Sequence, residues 1–353
     1  MSAGFAAELA ALEREQRLGA LSRRDSLELV RAHPPSWRVR GILASDDYGV
    51  LAGPKGVGKT YALLDLAVSS ALGEPWFGRF ETEQTTVLVL TSEDSRARIW
   101  RRIDAIARSR GRDPEELEGR LYVHPFSFSV VDGLHRLEAE LEVVEPGFVL
   151  VDPAYRYLPG VRAQLFDMGA ALTPLQEACT SRGASLLVGH HFNRREGAAR
   201  EERISGAGLL EWSRVVMTVD APPRRDDDPE VVLTFEITGN SIDPLTFRVR
   251  RRVEALSDGP DAELLYSAEV VAEGAAALEA RYATAAERVL AILPARPEEA
   301  LTVREIGDLV AHDATGKGGL KSDTIRKVLN RDLAGRVDCI EAGDRSGGRW
   351  WRT

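Results

Sequence analysis

Gly53-Pro54-Lys55-Gly56-Val57-Gly58-Lys59-Thr60 is a run whose chemistry follows from its spacing. Its glycines let successive backbone N–H groups turn toward one point, and a lysine and a hydroxyl residue close it. That combination suits a polyphosphate. The amides and the N-terminus of a following helix donate to anionic oxygens, Lys59 reaches the β and γ oxygens, and Thr60 offers its hydroxyl to Mg²⁺. All eight residues are therefore the expected cradle for ATP.

Three other places carry polar groups at the ends of apolar runs. Phe148-Val149-Leu150-Val151-Asp152 ends in a carboxylate, which places Asp152 to hold Mg²⁺ or its water shell together with Thr60. Thr91-Ser92-Glu93-Asp94 closes the run 87–90. A carboxylate there can approach a terminal phosphate from the side and polarise the attacking water, so Glu93 is the expected general base, with Asp94 alternatively capping a helix that begins near Ser95. His190-His191 follows the run 184–189, at the edge where ligands bind in open α/β sheets, and the pair is expected to sense a γ-phosphate.

These residues need a rigid frame, and the pattern supplies one. A strand at 48–52 precedes the glycine-rich run, and an amphipathic helix with Leu64, Ala67, Val68 and Ala71 on one face follows it. Strands at 87–91, 121–124, 148–151 and 184–189 then alternate with helices at 96–110, 134–144 and 166–181, the last with Pro174 inside. Short continuous apolar runs in that alternation predict an α/β fold with a mostly parallel sheet flanked by helices. Segments 215–219, 231–237 and 245–249 follow without helices between them and are expected as antiparallel additions at one edge, with 222–230 as a loop.

Toward the N-terminus, Phe5, Leu9, Leu12, Leu18 and Leu21 mark an amphipathic segment. Residues 254–280 are rich in Ala, Glu and Gly and carry Asp258-Gly259-Pro260, which reads as a linker with a further short strand at 263–266. Helices at 283–293, 302–312 and 322–333 follow, the second opened by a Thr302/Glu305 capping box, and strands at 337–341 and 349–352 finish the chain. Three helices and a hairpin outline a small winged helix-turn-helix domain. The expected organisation is 1–39 helical segment, 40–253 core, 254–280 linker and 281–353 winged helix.

Composition narrows the choices. The 353 residues are 44% hydrophobic and 29% charged, far from the composition of a disordered chain. No run approaches the about 18 apolar residues of a membrane span, and the start has no signal-peptide pattern, so the chain is read as cytoplasmic without a membrane partner. Cys179 and Cys339 alone make neither a disulfide framework nor a zinc site and are expected to be buried packing residues. The net charge of −9 excludes a protein that coats duplex DNA with its whole surface, and nucleic-acid contact must be local. Residues 277–353 are near charge balance, and three of the five lysines, Lys317, Lys321 and Lys327, lie there.

In their order, the run 53–60, TSEDSRARIWRRI, VLVDPAYRYLPG, GHHFNR and ISGAGLLEWSRVVMTV resemble the RecA-like ATPases of the RepA replicative-helicase type, related to DnaB and KaiC, over roughly residues 40–250. The resemblance implies a RecA-like core, an ATPase that assembles as a homo-oligomeric ring or hexamer with ATP at subunit interfaces, Glu93 as catalytic carboxylate and a phosphate-sensing His190 or His191. It also implies that Arg214 acts as an arginine finger on the neighbour's site. The chain departs from the pattern in 236–241, which holds no Lys, and in the added C-terminal segment. Loops 155–165 and 192–203 are expected to face a channel, the second carrying Arg194, Arg195, Arg200 and Arg203 for single-stranded DNA. Lys321, Thr324, Lys327 and Arg331 are expected on the exposed side of a recognition helix, with Trp350-Trp351 in the wing, for duplex DNA. A DNA motor or helicase is the leading expectation, a nucleotide-switched DNA-binding loader or adaptor the second, and a small-molecule phosphoryl transferase the third.

Overall fold

The computed structural model describes residues 22–32, 36–124, 128–158, 167–191, 208–221, 229–240, 242–257, 259, 262–274, 285–311, 320–340 and 348–352. The segment 1–21, loop 192–203, residues 159–165 of the other expected channel loop, and Lys317 lie outside them. The chain divides into two compact units, Met1–Ser36 and Trp37–Thr353. The first contributes helix α1 (Arg23–Ala32).

The second unit opens with a hairpin of β1 (Trp37–Val39) and β2 (Leu43–Ala44), so strand structure begins within the last residues of the segment 1–39 expected to be helical. There follow β3 (Tyr48–Gly53), α2 (Lys59–Leu72), β4 (Val87–Thr91), α3 (Arg96–Ser109), β5 (Leu121–His124), α4 (Val130–Val144), β6 (Phe148–Asp152), α5 (Asp167–Thr180), β7 (Ser185–His191), α6 (Leu209–Trp212) and β8 (Val215–Asp220). Long strands β9 (Glu230–Gly239), β10 (Ile242–Ala255) and β11 (Leu264–Glu273) complete a nine-stranded sheet in the order β11-β10-β9-β8-β3-β7-β6-β4-β5.

Two expectations change here. β8 pairs with β3 in parallel, so the antiparallel part starts at β9. The stretch expected as a linker carries the ten-residue edge strand β11, paired antiparallel with β10 from Ala255↔Leu264 to Phe247↔Glu273. The short strand expected at 263–266 is the start of β11, whose Leu264, Tyr266, Ala268 and Val270 recur with period two and pack on the core; its full length and its place in the main sheet were not expected.

Side chains alternate between the two faces of the sheet. Val87, Val89, Phe148 and Leu150 point to the side covered by α2 and α3, while Leu88, Leu90, Val149 and Val151 point to the side of α4 and α5. Helix α2 is buried over nearly its whole length, not along one stripe, because it lies in the middle of its layer. An aromatic cluster of Trp76, Phe77, Phe80, Phe235 and Phe247 fastens the antiparallel wing to this layer, with Phe235 and Phe247 stacked at 4.9 Å. Each such side chain contributes roughly 1.5–3 kcal/mol by leaving water.

Residues 285–352 hold α7 (Ala285–Ile292), α8 (Val303–Ala311), α9 (Ser322–Lys327) with a π-helical turn at Val328–Asp332, and a three-stranded sheet of β12 (Leu301–Thr302), β14 (Arg349–Arg352) and β13 (Val337–Ile340). They enclose a core of their own around Val289, Ile306, Ile325, Leu329 and Leu333. Thr302 and Glu305 make the reciprocal capping box, Glu305 Oε2 accepting from Thr302 N at 2.7 Å and Thr302 Oγ1 from Glu305 N at 3.3 Å. Cys179 is buried and Cys339 is half-buried, both as free thiols. Among the described residues no helix is long and apolar enough to cross a membrane.

Candidate functional site

Parallel strands end on one edge, and that geometry gathers the expected residues. Register puts Gly53 beside His191 and Thr91 beside Asp152, so β3, β4, β6 and β7 deliver the glycine-rich run, Glu93, Asp152 and the two histidines to the same edge. The run itself turns through Gly56 (φ 80°) and Gly58 (φ 105°) into the N-terminus of α2. Only glycine adopts such φ values without strain, which frees the backbone amides to turn inward.

Lys59 is buried and its Nζ donates to the carbonyls of Gly53 at 2.9 Å and Pro54 at 2.8 Å. Burial draws its ammonium from 10.5 down to about 8, against the pull of Asp152 and Glu93. Thr60 Oγ1 donates to Asp152 Oδ2 at 2.5 Å. The Asp152 carboxyl is pushed above its ordinary value by burial, an effect opposed by the Thr60 hydrogen bond and by Lys59 and reinforced by Glu93. Space for that carboxylate comes from Gly189, where a Cβ would stand 2.4 Å from Asp152 Oδ1. Hydroxyl and carboxylate oxygens held together suit a hard cation. Among the described residues no cluster of three or more His, Cys, Asp or Glu could hold a metal alone, so a divalent ion here would share the nucleotide's phosphates.

Glu93 stands at the exposed rim, with Oε1 accepting from Tyr155 Oη at 2.6 Å and 3.8 Å from His191 Nε2. Asp94 does not cap the helix; the N-cap of α3 is Ser95, whose side chain accepts from Arg98 N. Asp94 instead pairs with Arg98 at 3.1 Å and Arg102 at 2.8 Å. Burial lowers His190 to about 4, with His191 and Lys59 adding to the effect, and lowers His191 as well. Both rings are therefore neutral near pH 7, and each has a buried Nδ1 without a hydrogen-bond partner.

Arg214 lies apart from this group. It precedes β8, its backbone N donates to Tyr48 O, and its guanidinium meets Asp47 at 3.3 Å and the Tyr48 ring at 5.8 Å, all at the opposite edge of the sheet. The hairpin turn at Gly239-Asn240 closes against it, Asn240 N donating to Arg214 O at 3.1 Å.

Two neighbours of the site were not anticipated. Arg251 on β10 donates to Gly58 O at 3.3 Å and lies 5.4 Å over the Tyr61 ring, so close that a Cβ on Gly58 would fall 1.6 Å from its Nη1. Its signal was a charge on the inward face Phe247-Val249-Arg251-Val253 of a period-two strand. Tyr155 stands in the stretch expected as a channel loop, and nothing in its spacing from Glu93 announces their hydrogen bond.

A glycine-rich cradle with a buried lysine, a hydrogen-bonded Thr60–Asp152 pair and a rim carboxylate, all on the carboxyl edge of a helix-flanked parallel sheet, define a P-loop ATPase of RecA-like architecture. A family model described as an AAA domain matches residues 13–197, more than half of the chain, and the chain belongs to that family. No curated protein matches it.

Proposed function

We propose that this ATPase is a ring-forming motor that acts on DNA, of the RepA replicative-helicase type. The observation that supports the reading most strongly is the separation of charges: Lys59, Thr60, Asp152, Glu93 and His191 gather at one edge of the sheet, while Arg214 stands at the other. There Arg214 is remote from its own nucleotide, as a residue serving a neighbouring subunit must be. Residues 53–60 hold the phosphates with their β and γ oxygens, and Thr60 and Asp152 would hold Mg²⁺, which would supply charge neutralisation there. Lys59 leaves its carbonyl partners for those oxygens. Glu93 takes the proton of the attacking water, and the neutral His190 and His191 offer N–H donors to the γ-phosphate.

ATPase rate with and without single-stranded DNA, coupled to strand displacement on a forked duplex, tests the motor. Stimulation with displacement supports it. Stimulation by neither single-stranded nor duplex DNA overturns it. Mixing Arg214→Ala with Lys59→Ala protein restores some activity if the finger works in trans, and no recovery in verified mixed complexes counts against it.

A second reading, a nucleotide-switched DNA-binding adaptor, draws on the C-terminal segment, where Lys321, Lys327 and Arg331 are exposed beside the buried Ile325 and Leu329. We read this segment as a winged helix. Replacing the three cations with Ala lowers the salt-dependence slope of duplex binding by up to about three if all touch phosphates. An unchanged slope assigns the module to protein docking.

A further inference from the structure

We propose that Tyr155 is a positioning residue for the Glu93 carboxylate, fixing one of its oxygens so that the other faces the attacking water. The inference rests on Glu93 being the general base. Glu93 sits in a bend between the end of β4 and the Ser95 cap of α3, more than a third exposed, where three side-chain torsions are otherwise free. A base in that state samples many orientations, and most of them miss the water.

Three observations place the restraint on Tyr155. Its Oη donates to Glu93 Oε1 at 2.6 Å, a short charge-assisted hydrogen bond. The His191 ring lies 6.0 Å from the Tyr155 ring, with Nε2 3.8 Å from the same Oε1. Tyr155 itself belongs to the single turn Ala154–Tyr157 that follows Asp152 directly, a turn anchored by the buried Ala154 and Tyr157. Only Pro153 and Ala154 therefore stand in the chain between the carboxylate beside Thr60 and the phenol that holds Glu93. The phenol fixes the rim carboxylate to the same strand end that carries Asp152, and Oε2 is left as the proton acceptor. Neighbouring Asp94, held by Arg98 and Arg102, faces away from this task.

The test compares Tyr155→Phe with the parent in steady-state ATP hydrolysis, ATP binding and thermal unfolding, in Glu93 and Glu93→Gln backgrounds. Phenylalanine keeps the ring against His191 and removes only the donor. Expected is a loss of about 10- to 100-fold in kcat with KM, ATP affinity and Tm unchanged, and no further loss when Glu93→Gln is already present. Unchanged kcat, a rise in KM alone, or an equal loss in both backgrounds overturns the assignment. A Glu93→Gln enzyme that turns over like the parent removes Glu93 as the base instead, a result distinguishable because it needs no change at Tyr155.

Discussion

Gly189→Ala puts one methyl group into the most closely fitted part of the site. The backbone of β7 at this position is ordinary strand, so the effect is purely steric. The new Cβ would stand 2.4 Å from Asp152 Oδ1 and 3.2 Å from Asp152 Cγ and Leu63 Cδ1. Relief to an ordinary contact of about 3.5 Å requires the carboxylate to retreat by about 1 Å. The same carboxylate accepts from Thr60 at 2.5 Å, so such a retreat carries the pair to the limit of hydrogen bonding. Overpacking costs about 1–3 kcal/mol and the weakened charged hydrogen bond about 1.5–3 kcal/mol, giving about 2.5–6 kcal/mol of lost stability. For hydrolysis the expected result is a half-saturating Mg²⁺ concentration raised by about 10- to 100-fold at fixed ATP. Thermal unfolding and a Mg²⁺ titration of the ATPase check the two parts. Combining it with Leu63→Val relieves one clash and restores part of the stability, but not the Mg²⁺ dependence. A folded Gly189→Ala protein with parental Mg²⁺ dependence would refute the claim that Gly189 makes room for a cation-holding carboxylate.

Glu93→Gln keeps nucleotide binding and lowers turnover by about 10²–10⁴, whereas Lys59→Ala abolishes hydrolysis; equilibrium binding and single-turnover rates separate the two. Gly58→Ala meets both a φ of 105° and the Arg251 guanidinium, so it lowers stability and ATP affinity together, and adding Arg251→Ala recovers stability in part. His190 is held at about 4 by burial against 6.5 when unfolded, so the unfolded chain binds the extra proton between those values. Stability tied to this ring is complete above pH 6.5 and is lost as pH falls to about 4, by about 3 kcal/mol at 1.36 kcal/mol per pH unit. Denaturant titrations from pH 7 to 4 show a flatter decline for His190→Gln, and an identical decline would contradict a buried neutral imidazole.

Local chemistry made much of this protein readable from its residues. A run of glycines ending in Lys59-Thr60 has one physical use, and apolar runs ending in Glu93, Asp152 and His190-His191 announce parallel strands with polar groups at one edge. Those patterns depend on neighbours in sequence, as do the capping box at Thr302 and the α/β alternation. What the linear chain could not decide were pairings across long separations. β8 reads alike whether it joins β3 in parallel or antiparallel, because burial on both faces erases the alternation that betrays direction. β11 is legible only at its start for a related reason: an edge strand beside a Gly-Pro turn resembles a linker until Tyr266 and Val270 find the core. Arg251 against Gly58, Gly189 making way for Asp152, and Tyr155 on Glu93 join residues 193, 37 and 62 positions apart. Distance in sequence carries no record of such contacts, since they arise only when the sheet brings strand ends and the antiparallel wing to one place.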